Sequence, residues 1–274
     1  MGDRMALVTG ATSGIGRATA LELARRGLRV IVHGRDESRC RRVADEVARE
    51  YGDIVPYLVA DFTSLDDVRR LAEDVRALGH LEVLVANAGR YMRYCDVTPD
   101  GYETTFQVNH LAHFLLVNEL LDTLEASSPA RIVVVSSEAH RSGHIDFDTL
   151  TCEHRYHGYR AYANSKLANV LFAYGLAERL DPSRVTANAL HPGNIATKLL
   201  HDIAGVGGDF GRSPEEGAET SVYAATAPEL AGVTGEYFVQ QRPHRSSEES
   251  HDLEIREQLW RVSARLTSAV PAGR

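Results

Sequence analysis

A tyrosine and a lysine within residues 162–166 could exchange a proton with a substrate. The run Tyr162-Ala163-Asn164-Ser165-Lys166 places a phenol and an ammonium at positions i and i+4, which share one face of a helix. A nearby cation favours phenolate, so we expect Lys166 to lower the pKa of Tyr162 from its ordinary value of about 10. Tyr162 would then serve as a general acid or base. The same spacing is also typical of an exposed amphipathic helix, so other residues must decide between the two interpretations.

A glycine-rich turn near the N-terminus could hold a pyrophosphate. Gly10, Gly14 and Gly16 lie between a strand-like run and a helix-like run, where a tight turn and close backbone approach to phosphate are needed. The N-terminus of the following helix would then face the phosphates. A purely structural turn is the alternative interpretation. The residues expected to bind a nucleotide here are Gly10, Thr12, Ser13, Gly14, Ile15 and Gly16.

The end of the second strand indicates which nicotinamide cofactor fits. An acid at this point binds the ribose hydroxyls of NAD, but here the chain reads His33-Gly34-Arg35. Gly34 occupies the expected acid position, and Arg35 can pair with a 2′-phosphate in a contact of about 1.5 to 3 kcal/mol. We therefore expect NADP(H). The alternative is that Arg35 is a solvated loop charge and that Asp36 binds a ribose.

Two further strand ends carry candidate nucleotide ligands. Asp61 and Phe62 follow the third strand, where they could meet the adenine. Asn87, Ala88 and Gly89 close the fourth strand beside the nucleotide. Taken singly, each of these segments could be only a strand-end cap or a turn.

The elements that must position these residues alternate between short apolar strands and longer helical segments. This alternation indicates βαβ units and predicts an α/β fold: a single-domain Rossmann fold with a doubly wound, seven-stranded parallel sheet and helices on both faces. The predicted strands are Ala6-Thr9, Arg29-His33, Val55-Ala60, Val83-Ala86, Arg131-Ser136, Val185-Leu190 and Tyr237-Val239. The predicted helices are Gly14-Arg26, Ser38-Tyr51, Leu65-Leu78, Tyr102-Leu124 and Tyr159-Leu180.

Two irregular segments, 138–158 and 201–213, break this rhythm where the substrate crevice should open. Each is a candidate cover for the substrate or an ordinary surface loop. The first contains Cys152, His154 and His157, with His140 and His144 upstream, but no paired spacing that is typical of a zinc site. We therefore expect solvated loop histidines and no metal.

Composition limits the class of protein. The 274 residues carry a net charge of −8, which disfavours nucleic acid as a partner, and 43% are hydrophobic, enough for one large core. We expect one domain over residues 1–274. The three cysteines show no CxxC pair and predict no disulfide framework, which suits a cytoplasmic location. The apolar runs are too short to span a bilayer and the N-terminus leads straight into a strand, so we expect neither a membrane segment nor a signal peptide.

The candidate motifs occur together in a characteristic order, each at the predicted end of a strand or on a helix. Because of these motifs and their order, the chain resembles the short-chain dehydrogenase/reductase family. The resemblance extends over nearly the whole length, from Met5 to Thr267. The motifs are Thr9-Gly10-xxx-Gly14-x-Gly16, Asn87-Ala88-Gly89, Asn109, Ser136-Ser137, Tyr162-xxx-Lys166 and Pro192-Gly193-xxx-Thr197.

The resemblance implies a role for each matching residue. Tyr162 would exchange the proton with the substrate oxygen, and Lys166 would lower its pKa and hold the nicotinamide ribose. Ser137 would orient the carbonyl, whereas Ser136 would point to the opposite side of the strand. Asn109 would anchor a water of the proton relay. The residues implied to contact the nicotinamide amide and the phosphates are Pro192, Gly193, Ile195 and Thr197.

A narrower resemblance is to the retinol dehydrogenase and protochlorophyllide reductase branch. It rests on the runs Val135-Ser136-Ser137-Glu138-Ala139-His140, Ser165-Lys166-Leu167-Ala168-Asn169 and Ser213-Pro214-Glu215-Glu216-Gly217-Ala218. A hydrophobic N-terminal anchor, which is common in that branch, is not expected here. The chain has Ser13, rather than a basic residue, before Gly14, so the expected NADP preference rests on Gly34 and Arg35.

The expected function is hydride transfer between NADP(H) and a carbonyl/alcohol substrate, in the direction of ketone or aldehyde reduction. Tyr156, Ile203 and Phe210 of the irregular segments, together with Tyr159 directly after the first segment, could supply apolar surface for a bulky substrate. Two alternatives remain: a redox-neutral isomerase or cyclase of the same fold, and a non-catalytic dinucleotide sensor. The sequence leaves open whether the chain forms a homo-oligomer.

Overall fold

Eight strands form one sheet in the computed structural model, which describes residues 4–51, 55–147, 152, 156–204 and 211–269. The strand order is β3-β2-β1-β4-β5-β6-β7-β8. The first seven strands run parallel, and β8 pairs antiparallel with β7. The strands are β1 (Met5–Val8), β2 (Arg29–Gly34), β3 (Tyr57–Val59), β4 (Val83–Ala86), β5 (Ala130–Val135), β6 (Val185–His191), β7 (Tyr237–Val239) and β8 (Arg242–Pro243).

Helices cover both faces of this sheet. Because successive strand residues point to opposite faces, the strands contribute to two separate cores. One core contains Leu7 and Leu84 with residues of α3, α5 and α6, and the other contains Val8 and Val85 with residues of α1, α2 and α8. The helices are α1 (Gly14–Arg25), α2 (Glu37–Tyr51), α3 (Leu65–Ala77), α4 (Thr104–Phe106), α5 (Ala112–Ala126), α6 (Gly158–Arg179), α7 (Lys198–Ala204), α8 (Pro214–Thr226) and α9 (Leu253–Thr267).

The predicted doubly wound α/β fold is therefore confirmed. Besides the helices α7, α8 and α9, which were not among the predicted ones, the structure differs from the prediction in one strand and one helix. The two-residue antiparallel strand β8 extends the predicted seven-stranded sheet at one edge. The helix predicted as one piece over Tyr102-Leu124 is interrupted between α4 and α5 by a π-helix at Gln107–Leu111. In this wider turn Ala112 N donates to the carbonyl of Gln107, five residues earlier.

The strand order reverses between β1 and β4, where the cofactor crevice is expected. β2 pairs with one side of β1 and β4 with the other, so the connections leave in opposite directions. Ligands of open α/β sheets bind outside the carboxyl ends of strands at such a switch point. The turns after β1 and β4 meet there.

The cysteine expectation was wrong. Cys95 and Cys152 form a disulfide across 57 positions of sequence, whereas Cys40 is free and buried. The odd number of cysteines and their wide spacing concealed the pair, because contacts between distant segments are set by the fold. Within the described ranges, no helix combines the length and the apolar composition needed to cross a membrane.

The irregular segments are described only in part. The first begins with a 3-10 helix, Glu138–Ser142, and its residues 148–151 and 153–155 lie outside the described residues. α7 runs into the second segment, of which 205–210 lie outside. His154, Phe210 and the glycines at 205, 207 and 208 therefore lie outside the described residues.

Candidate active site

The turn between β1 and α1 forms a cradle that only glycine can build. Gly10 and Gly14 have φ of 67° and 53°, in the left-handed region. A Cβ on Gly16 would lie 2.3 Å from the carbonyl oxygen of Gly10, closer than atoms can approach. Ser13, the N-cap of α1, makes no side-chain capping bond. The free N–H groups at this helix start are suited to a pyrophosphate.

Thr9 ties the glycine-rich turn to the turn after β4. Its Oγ1 accepts hydrogen bonds from the backbone N–H groups of Asn87 and Ala88, both at 2.9 Å. Asn87 Nδ2 returns a bond of 2.7 Å to the Thr9 carbonyl. His113 Nε2 lies 2.8 Å from the same Thr9 hydroxyl. The two turns that would face the nucleotide are thus held as one unit.

The end of β2 leaves the Arg35 guanidinium exposed, while its neighbour Asp36 is engaged in the protein. Asp36 Oδ1 accepts from Ser38 Oγ at 2.7 Å and from Arg39 N at 3.0 Å. These hydrogen bonds, first that from Ser38, lower the pKa of Asp36. The carboxylate oxygen that receives both bonds stabilises the start of α2.

The two candidate residues after β3 differ in their surroundings. Asp61 Oδ1 accepts from Thr63 N at 3.0 Å and so closes a local turn. The Phe62 side chain is buried and stacks on His33 at 4.6 Å between ring centroids, with His113 edge-on at 5.2 Å. Phe62 therefore packs in the core beneath the predicted nucleotide site.

Ser137, after β5, lies near enough to Tyr162 of α6 for its side chain to lower the pKa of the phenol. Ser137 Oγ also accepts from Ala139 N at 3.2 Å. Ser136 points to the other side, as expected from strand alternation, and donates to the Lys166 carbonyl at 2.7 Å. The second serine is thus the one that shares a site with the phenol.

Lys166 lies one helical turn after Tyr162 and is buried. Its Nζ donates to the Val135 carbonyl at 3.1 Å and lies 5.7 Å from the centre of the Tyr162 ring. Burial lowers the pKa of Lys166 to about 8. Burial likewise raises the pKa of Tyr162 to about 12, against the opposing hydrogen bond from Ser137. The expected fall in the Tyr162 pKa is therefore not found in the protein alone, because desolvation of the phenolate dominates.

Asn109 lies in the π-helix and joins the β4 turn to α6. Its Oδ1 accepts from Arg90 N at 2.7 Å, and its Nδ2 donates to Arg90 O at 3.0 Å and to Ser165 Oγ at 2.9 Å. A Cβ on Gly89 would lie 3.6 Å from Lys166 Nζ and 3.7 Å from Asn109 Oδ1. Gly89 therefore brings the predicted nucleotide turn against both of these predicted catalytic residues.

The segment after β6 reaches back over the glycine-rich turn. Pro192 and Gly193 follow the strand directly, and Gly193 has a φ of 97°. Ile195 is buried, and a Cβ on Gly14 would lie 3.1 Å from Thr197 Cγ2. The structure thus places this predicted cofactor segment opposite the pyrophosphate cradle.

Tyr91 is a site residue that sequence reasoning missed. Its ring meets the Tyr162 ring edge-on, with 6.3 Å between centroids. A Cβ on Gly158, at the start of α6, would lie 2.9 Å from the Tyr91 hydroxyl and 2.4 Å from Met92 O. Tyr156 OH also donates to Met92 O at 2.9 Å. No motif marks Tyr91, because its position depends on packing between two distant segments.

The expectation of solvated loop histidines was wrong for His140, which packs inside the protein, and the described histidines of this group bind different partners. His140 is buried, with Nδ1 2.7 Å from Ser137 O, while His144 pairs with Glu249 at 3.0 Å. His157 accepts from Arg160 N at the start of α6. The described residues contain no cluster of three or more potential metal ligands.

The sequence is similar to those of known enzymes over most of its length. The sequence profile of the family described as short chain dehydrogenase matches residues 4–205. The chain belongs to this family. Human retinol dehydrogenase 14 is 39% identical over 289 residues, which cover 96% of this chain and 86% of the relative. Mouse polyprenol dehydrogenase is 43% identical over 282 residues, covering 97% and 84%.

Solved structures agree with the family assignment. A protein from Mycobacterium paratuberculosis is 34% identical with a TM-score of 0.79, covering 97% of this chain and 94% of that one. A short chain dehydrogenase from Escherichia coli CFT073, complexed with NADPH, is 26% identical with a TM-score of 0.72, covering 88% and 98%. The present short-chain dehydrogenase is thus an enzyme of the retinol dehydrogenase-like branch, which the motif set predicted. Members of this family use a nicotinamide dinucleotide and act on small molecules.

Proposed function

We propose that this short-chain dehydrogenase transfers hydride between NADP(H) and a carbonyl/alcohol pair, in the direction of ketone or aldehyde reduction. The observation that carries the proposal is the buried Tyr162 side chain, near enough to Ser137 for that serine to lower its pKa, with Lys166 Nζ 5.7 Å from the centre of the phenol ring. A proton donor, a second hydroxyl and a cation in one buried site suit protonation of a carbonyl oxygen.

The residues around the crevice fit a dinucleotide phosphate. Gly10, Gly14 and Gly16 leave the backbone open for the pyrophosphate, and Arg35 is the exposed cation that would pair with a 2′-phosphate. Ser13 and Ile15 belong to the same turn, and Thr197 of the segment after β6 lies against Gly14. When bound, the nicotinamide supplies or accepts the hydride.

Tyr162 holds the proton at neutral pH, because burial raises its pKa to about 12. It can therefore donate to a substrate oxygen that becomes negative. Ser137 would hold that oxygen from a second side. The Lys166 ammonium, charged below its pKa of about 8, would stabilise the phenolate left behind. Asn109 holds the turn after β4 against α6 through its hydrogen bonds to Arg90 and Ser165.

The substrate we propose is bulky and largely apolar. Tyr91 lies beside Tyr162. Tyr159 lies three residues before Tyr162 in α6, and its side chain is 41% exposed. Aromatic faces next to the proton donor favour a ligand large enough to contact them. We expect kcat/KM to rise with the size of the carbonyl compound. Equal turnover of small aldehydes and bulky ketones would contradict this part of the proposal.

A cytoplasmic location and one domain spanning residues 1–274 complete the proposal. The Cys95–Cys152 disulfide bears on location, since cytoplasm keeps most thiols reduced. Alkylation of the thiols during cell lysis, followed by mass spectrometry, would reveal both cysteines reduced if the enzyme is cytoplasmic. A permanently oxidised pair would contradict the location. Limited proteolysis tests whether residues 1–274 form one domain. A stable fragment much shorter than the chain would contradict a single domain.

The proposed reaction is tested with purified enzyme, NADPH or NADH, and a panel of aldehydes and ketones. We expect substrate-dependent loss of NADPH absorbance and tighter binding of NADPH than of NADH. Arg35→Ala should remove about ten- to a hundredfold of that difference, as expected for a charge-assisted contact of about 1.5 to 3 kcal/mol. Arg160→Ala on α6 is a matched control that removes an exposed arginine away from the predicted nucleotide site. Turnover of a substrate without any change in NADPH would favour a redox-neutral enzyme instead.

A further inference from the structure

At Gly34, the last residue of β2, the surroundings leave no space for a side chain. The backbone conformation does not itself require glycine. The φ of Gly34 lies outside the left-handed region, and its strand is in regular register with Val59 of β3. A Cβ at this position would lie 2.4 Å from Thr12 Cγ2 and 3.0 Å from Cys40 Sγ. Contacts under 3.0 Å essentially do not occur for real Cβ atoms, so Thr12 is the main obstacle to a side chain at position 34.

The backbone beside Gly34 is held in place, because the turn that carries Thr12 is fastened to the end of β2. Ala11 N donates to His33 O at 2.8 Å, and Gly10 N donates to His33 Nδ1 at 3.3 Å. On the other side, Cys40 is fully buried in α2. The glycine-rich turn and α2 thus enclose position 34 from two sides.

We propose that Thr12 determines cofactor specificity by occupying the space that an acid at position 34 would need. An acid at the end of the second strand binds the ribose hydroxyls of NAD and repels a 2′-phosphate. With Thr12 Cγ2 in place, that acid is sterically excluded, and Arg35 is left to select the phosphate. Thr12 acts here through its methyl group, separately from any contact with the nucleotide. This inference rests on the proposed NADP(H) preference.

The steric coupling is tested first without any nucleotide. Gly34→Ala should lower the thermal unfolding midpoint, and Thr12→Ser in the same chain should restore most of the loss, because serine lacks Cγ2. Thr12→Val is the matched control, since it keeps a methyl at Cγ2 and removes the hydroxyl; it should restore nothing. Equal rescue by serine and valine, or no rescue by either, would overturn the steric assignment.

Specificity is tested next by titrating each variant with NADPH and with NADH. Gly34→Asp alone should bind both poorly, whereas Thr12→Ser/Gly34→Asp should favour NADH at least about tenfold more than Gly34→Asp does, a difference of about 1.4 kcal/mol. Thr12→Val/Gly34→Asp should behave like Gly34→Asp. If Gly34→Asp alone reaches the NADH preference of the double variant, Thr12 is not the determinant. If the parent enzyme binds NADH as tightly as NADPH, the proposed NADP preference fails, while the unfolding measurement on Gly34→Ala still decides the steric contact.

Discussion

Lys166 Nζ shares the carbonyl of Val135 with Asn169, which donates to the same oxygen at 3.2 Å against 3.1 Å for the lysine. The carbonyl therefore keeps a hydrogen-bond partner if the lysine is removed. The ammonium is nonetheless buried, and its pKa falls from 10.5 to about 8 by desolvation. Lys166 is thus retained at a cost in stability, which is typical of a functional site.

Replacing Lys166 should stabilise the protein without bound nucleotide while impairing catalysis. The shift of the Lys166 pKa corresponds to about 3 kcal/mol of unfavourable burial of charge. Because the folded pKa is depressed, this destabilisation is complete below pH 8 and disappears as pH rises toward 10.5. Lys166→Met should therefore raise the free energy of unfolding at pH 7 and change it less at pH 10. Urea unfolding at both pH values measures this, and a loss of stability at pH 7 would contradict it.

Three buried histidines should make the enzyme sensitive to acid. Burial lowers the pKa of His33 to about 4, and of His110 and His113 to about 3. These side chains are neutral in the folded protein and bind protons on unfolding below their ordinary pKa of 6.5. Their contribution to stability is complete above pH 6.5 and is lost as pH falls toward 3.

His110→Leu tests this pH dependence. His110 packs among aromatic rings, at 5.1 Å from Phe106 and 6.1 Å from Phe114, so leucine suits the site although it loses the bond to Ser263. The variant should lose stability less steeply between pH 6.5 and pH 5 than the parent, as measured by thermal unfolding. His244→Gln, at an exposed position, should leave the slope unchanged. Parallel curves for the parent and His110→Leu would contradict the prediction.

Reduction of the Cys95–Cys152 disulfide should destabilise the enzyme. The bond closes a long loop, with a sequence separation of 57, and such crosslinks typically contribute about 2 to 4 kcal/mol. In parent protein purified without reductant, so that the disulfide is present, dithiothreitol should therefore lower the unfolding midpoint. Cys95→Ser/Cys152→Ser is the control, and its midpoint should be low and independent of dithiothreitol. An equal effect of the reductant on both proteins would show that the disulfide contributes nothing.

The sequence predicted the sheet and the grouping of motifs for a physical reason. Parallel strands end at one edge, so residues placed just after strands, such as Asn87 and Ser137, must lie near each other. The π-helix at Gln107–Leu111 was not predictable, because its residues read as ordinary helix. The short strand β8 is too brief to carry a periodic pattern.

Features that depend on contacts between distant segments were also outside the reach of the sequence. Tyr91 meets Tyr162 only because Gly158 allows the two segments to approach closely. The pKa of Tyr162 depends mainly on the burial of its side chain. The four-residue spacing between Tyr162 and Lys166 does not reveal that burial. Likewise, the sequence showed that Gly34 stands where an acid is expected. The Thr12 methyl group, which occupies the space that a side chain at position 34 would need, could be found only from the structure.

The proposed role of Tyr162 as the proton donor is tested most directly by comparing turnover with NADPH binding in Tyr162→Phe. Phenylalanine keeps the buried ring and its contact with Tyr91 but loses the hydroxyl that bonds Ser137. We predict that kcat for carbonyl reduction falls about 10²- to 10⁴-fold while the Kd for NADPH changes little, as expected when a general acid is removed. A Tyr162→Phe enzyme that turns over at a rate close to the parent would contradict the account.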